Sequence, residues 1–315
     1  MNELKRGQGR MSTALVTGAN GFLGRHVARQ LMADGWDVVG LDRSAPAAGA
    51  PAGYHRSLIM TLPSLEFNAA VLSIRPALVV HAAGPSSVPA SLADPAGDFA
   101  LSVPVLVNVL ETVRAHAPAC RVVFLSSAAV YGNPSRLPVE ETARIEPISP
   151  YGHHKQMCES LLREFYTFCG VRSCSIRIFS AYGEGLRRQV LWEICRQALT
   201  QSVVRLMGTG AESRDFIHAD DVARGIAAVI ERGVFDARAY NLATGEETRI
   251  DDLAALLIGA MAKPVPVEYS GEARPGDPIR WRADIGQLAA LGYAPTISIK
   301  EGATAYARWV GSHGR

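Results

Sequence analysis

Cysteine pairs are the first thing missing from this chain. Its five cysteines, Cys120, Cys158, Cys169, Cys174 and Cys195, are odd in number and form no Cys-x-x-Cys pair. That pattern argues against a disulfide framework and a zinc site, and it fits reduced thiols in a cytoplasmic protein. No metal site is expected. An excess of charge of one sign is lacking too: the formal net charge is +2, with 20% charged residues of both signs mixed along the chain. Without a basic stripe there is no footprint for nucleic acid, so an anionic partner should be small and held locally. No uninterrupted apolar run approaches the roughly 18 to 20 residues that cross a membrane, and no membrane partner is expected. The opening Met1 to Arg10 is polar and basic, without an apolar signal core. Residues 1–11 read as a disordered extension before a fold that starts at about Ser12. What remains is ordinary globular composition, 315 residues with 48% hydrophobic, enough for one large or two intertwined domains.

The first organised unit is the apolar run Thr13 to Thr17, then Gly18-Ala19-Asn20-Gly21-Phe22-Leu23-Gly24, a helical pattern through Ala33, and a second run from Trp36 ending in Asp42. That is strand, glycine loop, helix and strand, with an acid 18 residues past the last glycine. Glycines permit a tight turn and close approach to a pyrophosphate, and the following helix aims its N-terminal amides at those phosphates. Gly18, Asn20, Gly21, Phe22, Leu23 and Gly24 are therefore cofactor candidates. Asp42 is placed to accept hydrogen bonds from an adenosine ribose. It favours NAD, because a carboxylate repels the 2′-phosphate of NADP, whereas Arg43 beside it could take that phosphate, so NADP stays open.

Further along, a buried strand Ala77 to His81 ends in Ala82-Ala83-Gly84, small residues that let a cofactor lie against the backbone. A helix from about Asp98 to Ala115 leads to the strand Arg121 to Leu125, and that strand ends in Ser126-Ser127. Proline-rich loop follows, then Tyr151-Gly152-His153-His154-Lys155 opening a helix that ends by Gly170. At i, i+4 spacing Tyr151 and Lys155 stack on one helix face. A phenol ordinarily titrates near pH ~10 and a neighbouring ammonium favours its phenolate, which makes a base usable near neutrality. Ser173 to Ile178 completes a sixth parallel strand. The fold expected is α/β: a Rossmann-type doubly wound parallel sheet over 12–178 plus about 216–244. A smaller, discontinuous substrate lobe takes about 179–215 plus 245–315. The helix after His218 should be capped by Asp220 or Asp221.

With these motifs in order, the chain resembles the extended short-chain dehydrogenases/reductases, most nearly the nucleotide-sugar members typified by UDP-galactose 4-epimerase. The resemblance runs from about Thr13 to Tyr293. It implies a catalytic serine, tyrosine and lysine at Ser127, Tyr151 and Lys155, with 24 residues from the serine to the tyrosine. Lys155 would also hold the nicotinamide ribose, Tyr151 would take the proton of a sugar hydroxyl, and Ser127 would hydrogen-bond that oxygen; Ser126 is assigned to the cofactor side. Arg214 and Arg274 fall on family arginines that contact a nucleotide diphosphate, Asp277 on an acid near the nucleotide ribose, and Gln189 and Ser180 on further substrate contacts. Trp281 lies where the epimerases carry a gate residue facing the sugar's 2-substituent. A homodimer is implied through helices of the cofactor domain.

Departures from the family pattern are as informative. Ser102 and Ser180 stand where asparagine is common, and no acid follows the third strand. Ala128 and Ala129 occupy the places where 4,6-dehydratases carry an Asp-Glu pair and where UDP-glucuronate decarboxylases carry a glutamate. The expected function is a nucleotide-sugar 4-epimerase working through a 4-keto sugar. The alternatives are an NADPH-dependent nucleotide 4-keto-6-deoxysugar reductase and, from another class, a non-catalytic dinucleotide sensor.

Overall fold

The computed structural model describes residues 6–7, 10–46, 53–261 and 264–313. In chain order the elements are β1 (Arg6–Gly7), β2 (Arg10–Met11), β3 (Thr13–Thr17), α1 (Phe22–Ala33), β4 (Asp37–Asp42), β5 (Arg56–Ile59), α2 (Leu65–Ile74) and β6 (Leu78–His81). Then come α3 (Val88–Ala93), α4 (Pro95–His116), β7 (Arg121–Ser127), α5 (Pro150–Cys169), β8 (Ser173–Ile178), β9 (Ser180–Tyr182), α6 (Gln189–Thr200) and β10 (Val204–Leu206). The chain closes with β11 (Ser213–Arg214), β12 (Phe216–His218), α7 (Ala219–Arg232), β13 (Ala239–Leu242), β14 (Thr248–Arg249), α8 (Ile250–Ala260), β15 (Val267–Tyr269), α9 (Gly286–Ala290) and α10 (Ile299–His313).

Seven strands form one parallel sheet in the order β13-β8-β7-β6-β3-β4-β5. The chain winds outward from β3 in both directions, with Leu15 opposite Val39 on one side and Val79 on the other. Where the winding reverses, between β3 and β6, the carboxyl ends of the strands leave a crevice for a ligand. Alternation along the strands feeds two cores. Ala14, Val16, Val38, Val80 and Val123 meet α1 and α7 residues such as Val27, Leu31, Val222 and Ile226. Leu15, Val39, Leu41, Val79 and Val122 meet Phe67, Leu106, Leu110, Leu162 and Phe165 of α2, α4 and α5. The two-residue side-chain period thus buries both faces of the sheet. A third core joins α6, α8 and α10 over the strand ends.

Several expectations need correction. Of residues 1–11, β1 and β2 pair antiparallel instead of lying without structure, while 1–5 and 8–9 fall outside the described residues. Strands of two residues each are too short to show a side-chain period in the sequence. Helix α4 starts at Pro95 and not near Asp98, because Asp94 accepts from Gly97 N and proline fits the first turn. By length and composition α4 would qualify to cross a membrane, despite the lack of an uninterrupted apolar run. Its Val105, Leu106, Val109, Leu110 and Val113 are buried in the second core. Neither aspartate caps α7: His218 does, its side chain accepting from Asp220 N. Asp221 is buried and accepts instead from Thr296 N and Ile297 N, and Asp220 pairs with His26 of α1 at 2.6 Å. The helix α10, late in the substrate lobe, was not foreseen.

Candidate active site

One cleft of about 1130 Å³ opens along the carboxyl edge of the sheet. Gly18, Asn20, Gly21, Phe22, Leu23, Gly24, Asp42, Arg43, Ala82, Ala83 and Gly84 line one end of it, and Ser126, Ser127, Tyr151 and Lys155 line it too. Ser180, Gln189, Arg214, Arg274, Asp277 and Trp281 also line it. All the candidate residues therefore meet in the same space.

The cofactor end is built by steric exclusion. Gly18 has φ +67, and a Cβ there would come within 2.7 Å of Ala83 N. A Cβ on Gly24 would sit 2.0 Å from the carbonyl oxygen of Gly18. Only glycine lets the turn press β3, α1 and the Ala82-Ala83 segment together. The N-terminus of α1 begins at Gly21 with no side-chain cap and no acid in its first turn. Its free amides and positive dipole end are thus available to a phosphate. Asp42 accepts from Asn20 N at 3.0 Å, which fixes the carboxylate beside the turn, and Tyr54 holds the Asn20 amide through its hydroxyl at 2.9 Å. A cradle that a methyl group would fill and an uncapped helix end both fit a dinucleotide.

Beneath the cradle, Thr17 Oγ1 and His81 Nδ1 share a hydrogen bond of 2.7 Å. Burial, reinforced by the charge of Lys155, pushes the His81 imidazole down to about 3, so it stays neutral. His81 stacks on Phe124 and acts as a packed strand residue.

Helix α5 carries the candidate base. Ser149 caps it by accepting from Gly152 N, Pro150 fills its first position, and Ser91 of α3 accepts from Tyr151 N at 3.1 Å. Tyr151 and Lys155 are both buried. Lys155 Nζ donates to Leu125 O at 2.8 Å and lies 5.6 Å from the Tyr151 ring centroid. Ser127 Oγ accepts from Ala129 N at 3.1 Å, which leaves its own hydrogen free to donate into the cleft. Ser126 lines the cleft, and its hydroxyl donates to Glu159 at 2.6 Å. Ser102 is buried, and its hydroxyl has no partner among the described residues.

At the other end, Arg214 is held 3.6 Å from Asp277 and Arg274 2.9 Å from Glu193. Burial raises the pKa of Asp277, against the lowering effect of Arg214 and Arg274. Asp215, next to Arg214, is buried and accepts from Thr244 N, Gly245 N and Ala283 N. That knot fixes the strand carrying Arg214. Trp281 donates from its indole to Gly132 O at 3.0 Å and meets Phe179 edge-on, so it lines the cleft as an anchored wall. Gln189 opens α6 with φ +66, an unusual conformation for a residue with a side chain. Arg187 and Arg188 are exposed and line the same cleft. Glu193 and Glu159 were missed altogether. Glu159 had a legible signal, since it stands one helical turn beyond Lys155; Glu193 had none.

A dinucleotide cradle that opens on the same cleft as a phenol and its ammonium marks a class, the Rossmann-type dinucleotide-dependent enzymes. Within it the chain belongs to the NAD dependent epimerase/dehydratase family, whose model matches residues 14–243. The chain is similar to the UDP-glucose 4-epimerase of Mycolicibacterium smegmatis, 28% identical over 91% of this chain and 95% of that protein. Among solved structures it is similar to the UDP-glucose 4-epimerase of Thermus thermophilus in complex with NAD. That match has a TM-score of 0.82 and 28% identity over 94% of this chain and 98% of that one. A dTDP-glucose 4,6-dehydratase from Streptomyces venezuelae with NAD bound matches with a TM-score of 0.86. It is 26% identical, covering 95% of this chain and 97% of that chain.

Proposed function

We propose that this enzyme is an NAD-dependent nucleotide-sugar 4-epimerase. The observation that carries the reading is the meeting of Ser127, Tyr151 and Lys155 with the glycine cradle and two arginines in one cleft. The chemistry that bound NAD supplies is reversible acceptance of the hydride from sugar C4. Tyr151 takes the 4-hydroxyl proton as that hydride leaves, since a carbonyl forms only if both depart. Ser127 donates to the same oxygen as its charge grows. Lys155, held by Leu125, keeps a positive charge beside the phenol. Arg214 and Arg274 anchor the diphosphate with planar guanidinium donors, while the 4-keto sugar turns over and Tyr151 returns its proton.

Ala128 and Ala129 support epimerisation over dehydration: both are buried apolar residues after Ser127, and neither can protonate a departing hydroxyl. The reductase reading rests on Arg43, which is exposed beside Asp42 and could pair with a 2′-phosphate. In this reading 12–178 with about 216–244 bind the cofactor, and about 179–215 with 245–315 close over the sugar. Exposed Phe99, Met157 and Phe168 on α4 and α5 support a homodimer through those helices. We place the enzyme in the cytoplasm, where nucleotide sugars are made. Purified protein incubated with UDP-, dTDP- and GDP-hexoses should exchange C4 isomers without added reduced cofactor. Consumption of NADPH with no isomer exchange would establish the reductase instead.

A further inference from the structure

Tyr151, Lys155 and Glu159 recur every four residues along α5 and so share one face of the helix. Two of them grip adjacent residues of β7. Lys155 Nζ donates to Leu125 O at 2.8 Å, and Glu159 Oε1 accepts from the Ser126 hydroxyl at 2.6 Å. The next residue of the strand is Ser127, which lines the cleft. Glu159 is itself clamped from β8: Arg177 Nε and Nη2 reach its two oxygens at 3.0 and 2.7 Å. The two side chains are only 4% and 7% exposed, so the pair is desolvated on both sides. Arg177 Nη1 extends the lattice to the Tyr131 hydroxyl and to Glu141 O, both at 2.8 Å. The Tyr131 hydroxyl in turn donates to Asn241 Oδ1 of β13 at 2.7 Å. The catalytic helix is thereby tied to three neighbouring strands by a buried polar network, bidentate at its centre, which fixes geometry more closely than apolar contact does.

We propose that Ser126, Glu159 and Arg177 are positioning residues that set the register of α5 on β7, and through it the placement of the Tyr151 phenol relative to the Ser127 hydroxyl. The proposal rests on the reading of Tyr151 as base and Ser127 as donor. Arg177 serves a second purpose, because it balances a carboxylate that would otherwise stand buried one turn from Lys155. Ser126 then acts through Glu159 and not through contact with the cofactor.

Ser126→Ala, Ser126→Thr and Glu159→Gln separate these roles when kcat, KM for a UDP-, dTDP- or GDP-hexose, and the Kd for NAD are measured on each full-length protein. A small displacement of reacting groups predicts that Ser126→Ala loses about tenfold or more in kcat, with KM and NAD affinity unchanged. Ser126→Thr, which keeps the hydroxyl, should recover most of it. Glu159→Gln should show the same split and also melt earlier; if that variant fails to fold, the two Ser126 variants carry the test. Wild-type kcat in Ser126→Ala would overturn the proposal. So would weakened NAD binding in that variant, which would make the hydroxyl a cofactor contact. If the wild-type protein binds NAD but converts none of the hexoses, the epimerase reading fails and takes the proposal with it.

Discussion

A single methyl group at Gly24 would sit 2.0 Å from the carbonyl oxygen of Gly18, and a backbone atom cannot step aside as a side chain can. Gly24→Ala should therefore cost about 3 kcal/mol through overpacking. It should also lose NAD binding, because the turn can relieve the clash only by opening. Thermal melting with and without NAD checks both effects. Tyr151→Phe tests the opposite expectation. It keeps the ring packing and removes only the hydroxyl, so NAD affinity and melting should stay near wild type while turnover is abolished. Retained turnover would remove Tyr151 from its role. At this scale much was readable in the chain itself, because glycine spacing and an i, i+4 pair are local patterns that imply local geometry. The bond between Ser126 and Glu159 was not. It joins two elements, and nothing in the spacing of β7 says which way the Ser126 hydroxyl points.

At the scale of elements, the joint between α1 and α7 shows how a cap can be misread. Two aspartates after His218 look like N-caps, yet the histidine caps the helix and both carboxylates are recruited to distant partners. The hydrogen bond with His26 lowers Asp220 to about 2 from the ordinary 3.8, against the opposing effect of burial. An acid held lower in the folded state stabilises above its unfolded pKa, and that stabilisation is lost as pH falls through the folded value. Asp220→Asn should thus be less stable than wild type near neutrality. The difference should hold down to pH 3.8 and shrink toward about 2. Urea unfolding of both proteins across that range would show it, and a difference independent of pH would rule out the His26 interaction as its source. The unforeseen α10 has a comparable cause. Its buried Ala303, Tyr306, Ala307 and Val310 keep helical spacing, but much of that stripe is alanine, whose weak apolar signal is easily overlooked.

For the whole molecule, strands alternating with helices made the doubly wound sheet readable before any coordinates, since buried parallel strands write themselves as short apolar runs. The smaller lobe was harder, because its strands are two or three residues long and pair across large sequence gaps, as β9 does with β12 and β10 with β15. Its arginines were located only through resemblance, and their counter-ions Glu193 and Asp277 explain how they stay oriented toward the cleft. The central claim is that hydride and proton both return to the sugar from which they came. It is tested most directly with a nucleotide hexose carrying deuterium at C4, followed by mass spectrometry and NMR of the product. The expected result is a C4 epimer that retains the deuterium, formed without net consumption of reduced cofactor. Loss of the deuterium to the nicotinamide, leaving a 4-keto sugar or an unlabelled C4 alcohol formed with hydride from NADPH, would contradict it.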